Sequence, residues 1–588
     1  MKKRPIRSWV AAALVLSSAG LVGGWTAAST VESPPNALNV VVNPGQQYQT
    51  LEGWGTSLAW FAHIMGGAPS SVRDKLIQLL FNPHTGLGLN VVRYNIGGGE
   101  NPKYHFLEKR AAIPGYEPSP NTWNWHADKA QRRFLKEAMN AGADQVEAFS
   151  NSPPYWMTVS GSVTGSRTGY TNNIAPSEYE NFAHYLATVV EHFAQDWGIT
   201  FRTLEPFNEP VSTWWKFGGT QEGCHISNVA QAKILVDLSQ QLTDGKSGTH
   251  IAAPDDNSID QTVTTWSSYP SSIQQGVSQI NTHGYTGTQR TELLHLAQKA
   301  GADLWMSEYG DSDGTGLTMS EQILSDMKTM HANAWVYWQA VDDAPGWGFL
   351  TSHLNHETTY AYSFNEKYYV MANYSKFIRP GFIFINVTDA QSLAAYDPKS
   401  DTLVLVKTND GFAPQTVSYN LTAFSHLGSQ AMVYRTTRFG GTDNLLPLTP
   451  ISVHHHRLTV VAPPFSVTTY VIQQAAYRPV LQTVVGARFS ATKADKAYTT
   501  KFHGTGVWVY GNMGPSSGMA TFHVAGQTSE TLDLYAPSEQ SHVLIYASPT
   551  LSDGDHQLTI ESTGLHNVHA TGTMVSVDRV AAVVPSGN

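Results

Sequence analysis

Between Thr50 and Val341 short apolar runs alternate with amphipathic segments, and this alternation restricts the fold more than any other feature of the chain. The apolar runs predict strands at Leu51–Leu58, Asn90–Tyr94, Gln145–Ser150, Phe201–Phe207, His250–Pro254, Gln279–Gly284, Asp303–Glu308 and Ala334–Gln339. Helical patterns fall between them at Ser71–Leu80, Asp128–Ala141, Ser177–Trp197, Ser227–Leu242, Glu292–Ala300 and Ser320–Met330. Gly142 and Gly301 sit where a helix would stop just before a strand. An open doubly wound sheet would carry a glycine-rich phosphate loop opening a helix, and Gly97-Gly98-Gly99 lacks that spacing. The pattern therefore predicts a (β/α)8 TIM barrel over residues 49–375.

In such a barrel chemistry sits at the carboxyl ends of the strands. Those ends carry Trp54, Arg93, Asn95, Ser150, Asn151, Asn208, Glu209, Asp255 to Asn257, His283, Tyr285, Glu308, Trp338 and Gln339. Pro210 cannot donate to a sheet ladder, so the fourth strand should stop there with Glu209 at its end. Glu308 ends the seventh strand, across the mouth. Cleavage of a sugar acetal needs such a pair: one carboxyl protonates the departing oxygen, and the other attacks or stabilises the anomeric carbon. Spacing alone does not say which is which. Strand alternation puts Glu205 and Arg93 on inward faces, where an ion pair between them is expected.

Lys2, Lys3, Arg4 and Arg7, the apolar run Val10–Val22 and the small residues Thr26-Ala27-Ala28 form a signal-peptide pattern over residues 1–28. A secreted or extracellular location follows, periplasmic in a Gram-negative host, with no membrane contact after cleavage. The net charge of −10 and the lack of a basic run argue against a nucleic-acid partner. A single cysteine, Cys224, excludes an internal disulfide or a thiolate metal site. Neither a metal nor a cofactor is expected, and a monomer is. With 16 Trp, the chain has aromatics to spare for a sugar cleft.

Several segments together resemble glycoside hydrolase family 30, within clan A of the retaining glycosidases. They are Leu51–Ser57, Ser150–Met157, Glu205–Pro210, Ser307–Gly310 and Lys376–Gly381. The resemblance implies that Glu209 is the acid/base and Glu308 the nucleophile. It also implies that Asn208 holds the sugar 2-hydroxyl, that Arg93 and Tyr285 keep Glu308 ionised, and that Trp338 floors the first subsite. Asn151, His283, Trp54, Trp156, Trp214 and Trp215 complete the candidate substrate-binding set, with Trp60 as a further platform. The loop Trp214–His225, in which Lys216, Gln221, Glu222 and His225 offer groups to hydroxyls, resembles the endo-β-1,6-galactanase branch. Xylan, β-1,6-glucan, β-glucoside and fucosylated substrates are the alternatives within the family. A non-catalytic sugar-binding protein would usually have lost one of the two carboxylates.

The resemblance further implies a side β-sandwich over residues 376–475, completed by a strand from residues 36–48. Residues 476–588 alternate as half-buried strands and resemble the jelly-roll, carbohydrate-binding-like modules of exported enzymes. His454-His455-His456 invites a metal, but as neighbours in a strand they would point to opposite faces. Asn373, Asn386 and Asn420 lie in glycosylation-type triplets, which carry meaning only in a eukaryotic host.

Overall fold

The computed structural model describes residues 37–584, apart from 357–358, 439–442, 478–479, 485, 495, 528 and 549–550. The signal-peptide segment lies outside the described residues. After a first strand β1 (Leu38–Thr50) come β2 (Gly53–Ser57), β3 (Val91–Asn95), β4 (Gln145–Phe149) and β5 (Thr203–Glu205). They are followed by β6 (His250–Ser258), β7 (Gln279–Thr286), β8 (Asp303–Tyr309) and β9 (Ala334–Gln339). Strands β2 to β9 close into a barrel of parallel neighbours, with Gly53 of β2 beside Ala334 of β9. Where β2 meets β3 the backbone needs a glycine: a Cβ on Gly55 would stand 2.6 Å from Val91 Cβ. Gly301, at φ +68°, ends the helix Arg290–Ala300 and turns the chain into β8.

Four helices escape the periodicity reading: Phe61–Met65, Ile259–Ser268, Ser271–Gln274 and Glu366–Ser375. Ile259–Ser268 is rich in Thr and Ser, which favour helices weakly. It forms because the Ser258 hydroxyl accepts the Gln261 N–H at 3.2 Å and because Ile259, Val263 and Trp266 are buried. The barrel interior is divided. Val91, Trp305, Ala334 and Val336 form an apolar cluster on one side. Glu147, Thr203, Glu205, Gln279 and Asn281 are buried polar groups contributed by β4, β5 and β7.

Strand β1 belongs to the second architectural layer. It runs antiparallel to Ile383–Val387 and parallel to Gln415–Asn420, with register shifts beyond Asn43 that let it join both halves of a nine-stranded arrangement. Val40, Val42, Leu405, Val417, Tyr419, Leu458 and Tyr470 fill the space between them. The opposite face of the larger half carries Phe384, Leu393, Ala395, Val404, Val406 and Val467, which merge with the barrel core beside the helix Glu366–Ser375. The C-terminal region forms a five-stranded and a four-stranded sheet around Val507, Val509, Phe522, Leu558, Ile560 and Val577. That core takes no residue from the barrel or from β1.

Two expectations need correction here. His455 and His456 occupy left-handed turn positions, φ 46° and 55°, between Leu446–Ser452 and Arg457–Ala462, so the triplet is a hairpin turn and not a strand. Asn373 is fully buried and donates to Thr436 Oγ1 at 2.8 Å, which removes it as a glycosylation acceptor. Among the described residues, no helix is long and apolar enough to cross a membrane.

The distribution of cores sets an expected outcome for truncation. A chain ending at Tyr477 keeps the shared barrel–sandwich core and melts cooperatively, whereas one ending at Ser375 loses a covering layer of that core and does not fold. Thermal unfolding of the two truncated proteins, followed by circular dichroism, checks this.

Candidate active site

The deepest constraint at the barrel mouth is Arg93, fully buried on β3. Its Nε donates to Glu147 Oε1 at 3.0 Å, its Nη2 to Asp255 Oδ2 at 2.6 Å and its Nη1 to Glu308 Oε2 at 3.1 Å. The expected pair with Glu205 is absent. Glu147, directly opposite Arg93 in the β3–β4 register, and Asp255 take those donors instead. Glu205 is left in a buried place where desolvation, with Asp255 and Glu147 adding to it, holds its carboxyl well above the ordinary range. Glu147 is tied further by Thr203 (2.8 Å), Gln279 (2.7 Å) and Asn281 (2.9 Å).

Glu308 receives a second support from Tyr285, whose hydroxyl donates to Oε1 at 3.0 Å. Burial pushes the Glu308 carboxyl up to about 7; His283 and Arg93 oppose this, and Glu209 adds to it. For His283, burial disfavours the cation, but Glu308 and Asp255 outweigh it and hold the imidazole well above its usual value. Its Nδ1 lies 3.3 Å from Glu209 Oε1 and 3.5 Å from Glu308 Oε1, and its Nε2 faces Asp255 Oδ2 at 3.3 Å. One oxygen of Glu209, one of Glu308 and a His283 nitrogen lie within 4.8 Å of one another. Asp255 is pushed up by burial but pulled down further by Arg93 and His283, to about 2.

Glu209 is held by its backbone as much as by its side chain. At φ 48° it occupies a left-handed position after β5. Its N–H donates to the Asp255 carbonyl at 2.9 Å, and its carbonyl accepts from Ser212 N and Trp215 Nε1, both at 3.1 Å. Asn257 Nδ2 donates to Oε1 at 2.6 Å and Trp214 Nε1 to Oε2 at 3.1 Å. Trp215 is fixed in turn by close backbone: a Cβ on Gly223 would lie 2.1 Å from its ring, and one on Gly165 would lie 2.1 Å from its carbonyl carbon.

Around the two glutamates opens a cavity of ≈ 370 Å³, lined by Trp60, Asn151, Asn208, Trp215, Tyr285 and Trp338 among others. Asn208 Oδ1 is buried and has no protein partner. Trp60 and Trp338 meet edge to face at 5.1 Å, and the Arg110 guanidinium lies 4.7 Å over Trp60.

Not every expected residue reaches this cavity. Trp54 is fully buried, with its indole donating to the Ile378 carbonyl at 2.8 Å, so it packs the barrel and meets no sugar. Trp156 is turned to the Glu117 carbonyl at 2.9 Å and packs against the core, outside the lining. Within the Trp214–His225 loop, Gln221 and Glu222 line the cavity; Lys216 faces solvent, and His225 contacts the Ser212 carbonyl at 3.1 Å. Sequence reasoning gave no role to Asn257, Arg110, Asp342 or Trp347. The run Asp255-Asp256-Asn257 at a strand end was the available signal for the first of these.

Burial also sets the pH behaviour of the folded barrel. It pushes Asp256 from an ordinary 3.8 up to about 7 and Glu222 from 4.5 up to about 8. A carboxyl that binds its proton more tightly when folded stabilises the fold fully below its unfolded pKa, and that stabilisation is lost as pH rises through the folded value. The melting temperature should therefore fall between pH 6.5 and 8, and Asp256→Asn should make that fall shallower. Calorimetry across the interval on both proteins is the check.

Residues 37–288 match the O-Glycosyl hydrolase family 30 profile. An endo-β-1,6-galactanase of Hypocrea rufa is 36% identical over 71% of this chain and 91% of its own length. An exo-β-1,6-galactobiohydrolase of Bifidobacterium longum subsp. longum is 28% identical over 56% of this chain, a match that spans 29% of that larger protein. Among solved structures, a conserved exported protein from Bacteroides fragilis shares the fold with TM-score 0.63 at 21% identity, covering 74% of this chain and 99% of that one. The catalytic domain of GH30 xylanase C from Talaromyces cellulolyticus does so with TM-score 0.57 at 22% identity, over 74% and 99%. Identity of 36% along nearly the whole of a relative goes beyond a shared barrel: the chain belongs to O-glycosyl hydrolase family 30 and is an O-glycosyl hydrolase.

Proposed function

We propose that the protein cleaves internal β-1,6-linked galactosyl chains, such as the side chains of arabinogalactan, with retention of anomeric configuration. The observation that carries the mechanism is the approach of the Glu209 and Glu308 oxygens to within 4.8 Å. Retaining glycosidases hold their carboxyl groups roughly 5–5.5 Å apart; inverting ones leave roughly 6.5–9.5 Å for a water. Glu209 protonates the departing glycosidic oxygen while Glu308 attacks the anomeric carbon, held by Arg93 and Tyr285. Glu209 then takes a proton from the water that hydrolyses the glycosyl ester. Asn208 Oδ1 accepts from the sugar 2-hydroxyl, and Trp338 with Trp60 forms an aromatic wall.

Supporting the galactan substrate are the two relatives whose names specify β-1,6-galactosyl linkages. A site that hydrogen-bonds an axial 4-hydroxyl leaves polar groups unpaired with a glucosyl unit, a mismatch that costs several powers of ten in rate. We read the chain as exported on its leader pattern, acting as a monomer, with the C-terminal sheets as a sugar-contacting module.

Two measurements test this. A 2-fluoro galactosyl donor with an activated leaving group labels the wild type at Glu308 and still labels Glu209→Gln, whereas Glu308→Gln takes no label; a label on Glu209 reverses the roles. Purified enzyme cleaves β-1,6-galacto-oligosaccharides at least about a hundredfold faster than the matched gluco series. Equal rates would end the galactanase reading and leave the two-carboxylate chemistry in place.

A further inference from the structure

A second cavity, of ≈ 500 Å³, lies away from the mouth, in the crevice between the barrel and the C-terminal sheets. One wall comes from β1, the helix Arg290–Ala300 and the residues that open β8 and β9. The other comes from the strands Glu530–Asp533 and Gln540–Ala547. The crevice belongs to the amino-terminal end of the barrel, because Leu304 opens β8 and Glu308 lies near its far end. Four residues along a strand span about 13 Å, so the two cavities sit at opposite ends of the barrel. The barrel and the C-terminal sheets each have an apolar core of their own, so neither core depends on what fills this seam.

The lining is polar and largely unpartnered. The Glu530 carboxylate has no hydrogen-bond or ion-pair partner among the described residues, and burial pushes it up. The Tyr546 hydroxyl is likewise unpartnered among them, and its ring lies flat against Phe522 at 4.6 Å. On the barrel side Tyr48 packs on His331 with ring centres 4.5 Å apart. His331 Nε2 donates to the Lys328 carbonyl at 3.1 Å, and burial pushes this imidazole down to about 4, so it is neutral and its Nδ1 is an acceptor. Asn333 Oδ1 accepts from Leu304 N at 3.0 Å, which leaves the Asn333 amide, with that of exposed Gln298, to offer N–H groups.

This composition selects a ligand. No Lys or Arg lines the crevice, so an anion finds no counter-charge. The other carboxylates are already engaged: Asp303 pairs with Arg202, and Asp533 accepts from Tyr535 N at 2.9 Å and Asn567 Nδ2 at 2.7 Å. One open carboxylate is too few for a hard cation that takes roughly six to eight oxygens. An apolar ligand would leave the amides unpaired. Hydroxyl groups, which donate and accept, suit every group described, and an aromatic ring suits the CH face of a sugar.

We propose that this crevice is a second, non-catalytic saccharide site, which holds a neutral glycan segment of the kind the mouth cleaves. The inference rests on the reading above for the identity of the sugar. A short oligosaccharide cannot reach both cavities. A long or branched polymer can, and holding one segment raises the effective concentration of the others at the mouth.

Calorimetric titration of the full-length Glu308→Gln protein, which cannot turn over, with β-1,6-galactotetraose should reveal a site at the crevice besides that at the mouth. Glu530→Ala should abolish it, as should Gln298→Trp, which fills the crevice from an exposed helix position. In the active enzyme the same two substitutions should raise KM for polymeric β-1,6-galactan about tenfold, with kcat and the cleavage of galactotriose unchanged. If one variant melts early, the other serves. Binding that neither substitution reduces, whether at one site or two, overturns the proposal and makes the crevice a hydrated seam. Failure of the galactanase reading shows separately. If the wild type cleaves the matched β-1,6-gluco series instead, that series should fill the crevice, and its failure to do so overturns this inference too. Cleavage of the galacto series without a substitution-sensitive second site overturns this inference alone.

Discussion

One buried guanidinium organises the mouth of this barrel. Arg93 has no exposed surface and divides its donors among Glu147, Asp255 and Glu308, three carboxylates from β4, β6 and β8. Taking charges out of water is costly, and breaking such a cluster by removing one partner typically costs ~3–5 kcal/mol. The arrangement holds because each member is satisfied in a fixed direction. Glu147 accepts from Thr203, Gln279 and Asn281 as well as Arg93, and Asp255 accepts from Ser307 Oγ at 2.5 Å. The guanidinium thus sets where Glu308 stands before any sugar arrives.

The same cluster distributes protons. Arg93 and His283 place two cations against Asp255, Glu308 and Glu209, with Glu147 and Glu205 behind them. Asp255, in contact with both cations, stays ionised, while Glu308 is raised to about 7 by burial despite them. Glu209 and Glu308 both face one imidazole nitrogen of His283, at 3.3 and 3.5 Å.

Much of this was legible in the sequence because strand ends are legible. A parallel barrel puts chemistry at the carboxyl ends of its strands, and Glu209 and Glu308 were picked out by locating those ends, the first of them at Pro210. What failed to be legible was direction. Depth along a strand failed as well: Trp54 was placed at a carboxyl end like Trp338, yet it is the second residue of β2, buried against Tyr374 and Ile378, whereas Trp338 is next to last in β9 and faces the cavity. The Arg93 partner was misassigned to Glu205 because alternation gives the face of a strand but not the register with its neighbours. It is the β3–β4 register that brings Glu147 opposite Arg93. Asn257 was placed at the mouth but given no role, because β6 runs on to Ser258, past the Pro254 at which the apolar run was taken to end.

The pairing of β1 constrains how the molecule is assembled. Val42 lies beside Val387, and Leu38 beside Val417, while β2 closes the barrel against β9. The first of the described residues therefore find their partners only in segments that emerge from the ribosome far later. Contacts of such long sequence separation slow folding and leave the early chain exposed in the meantime. Neither the barrel nor the sandwich can be completed by its N-terminal half alone. Assembly of the catalytic unit is consequently a late event, one that waits for the last strand of the sandwich and that a nascent chain held unfolded is well suited to undergo.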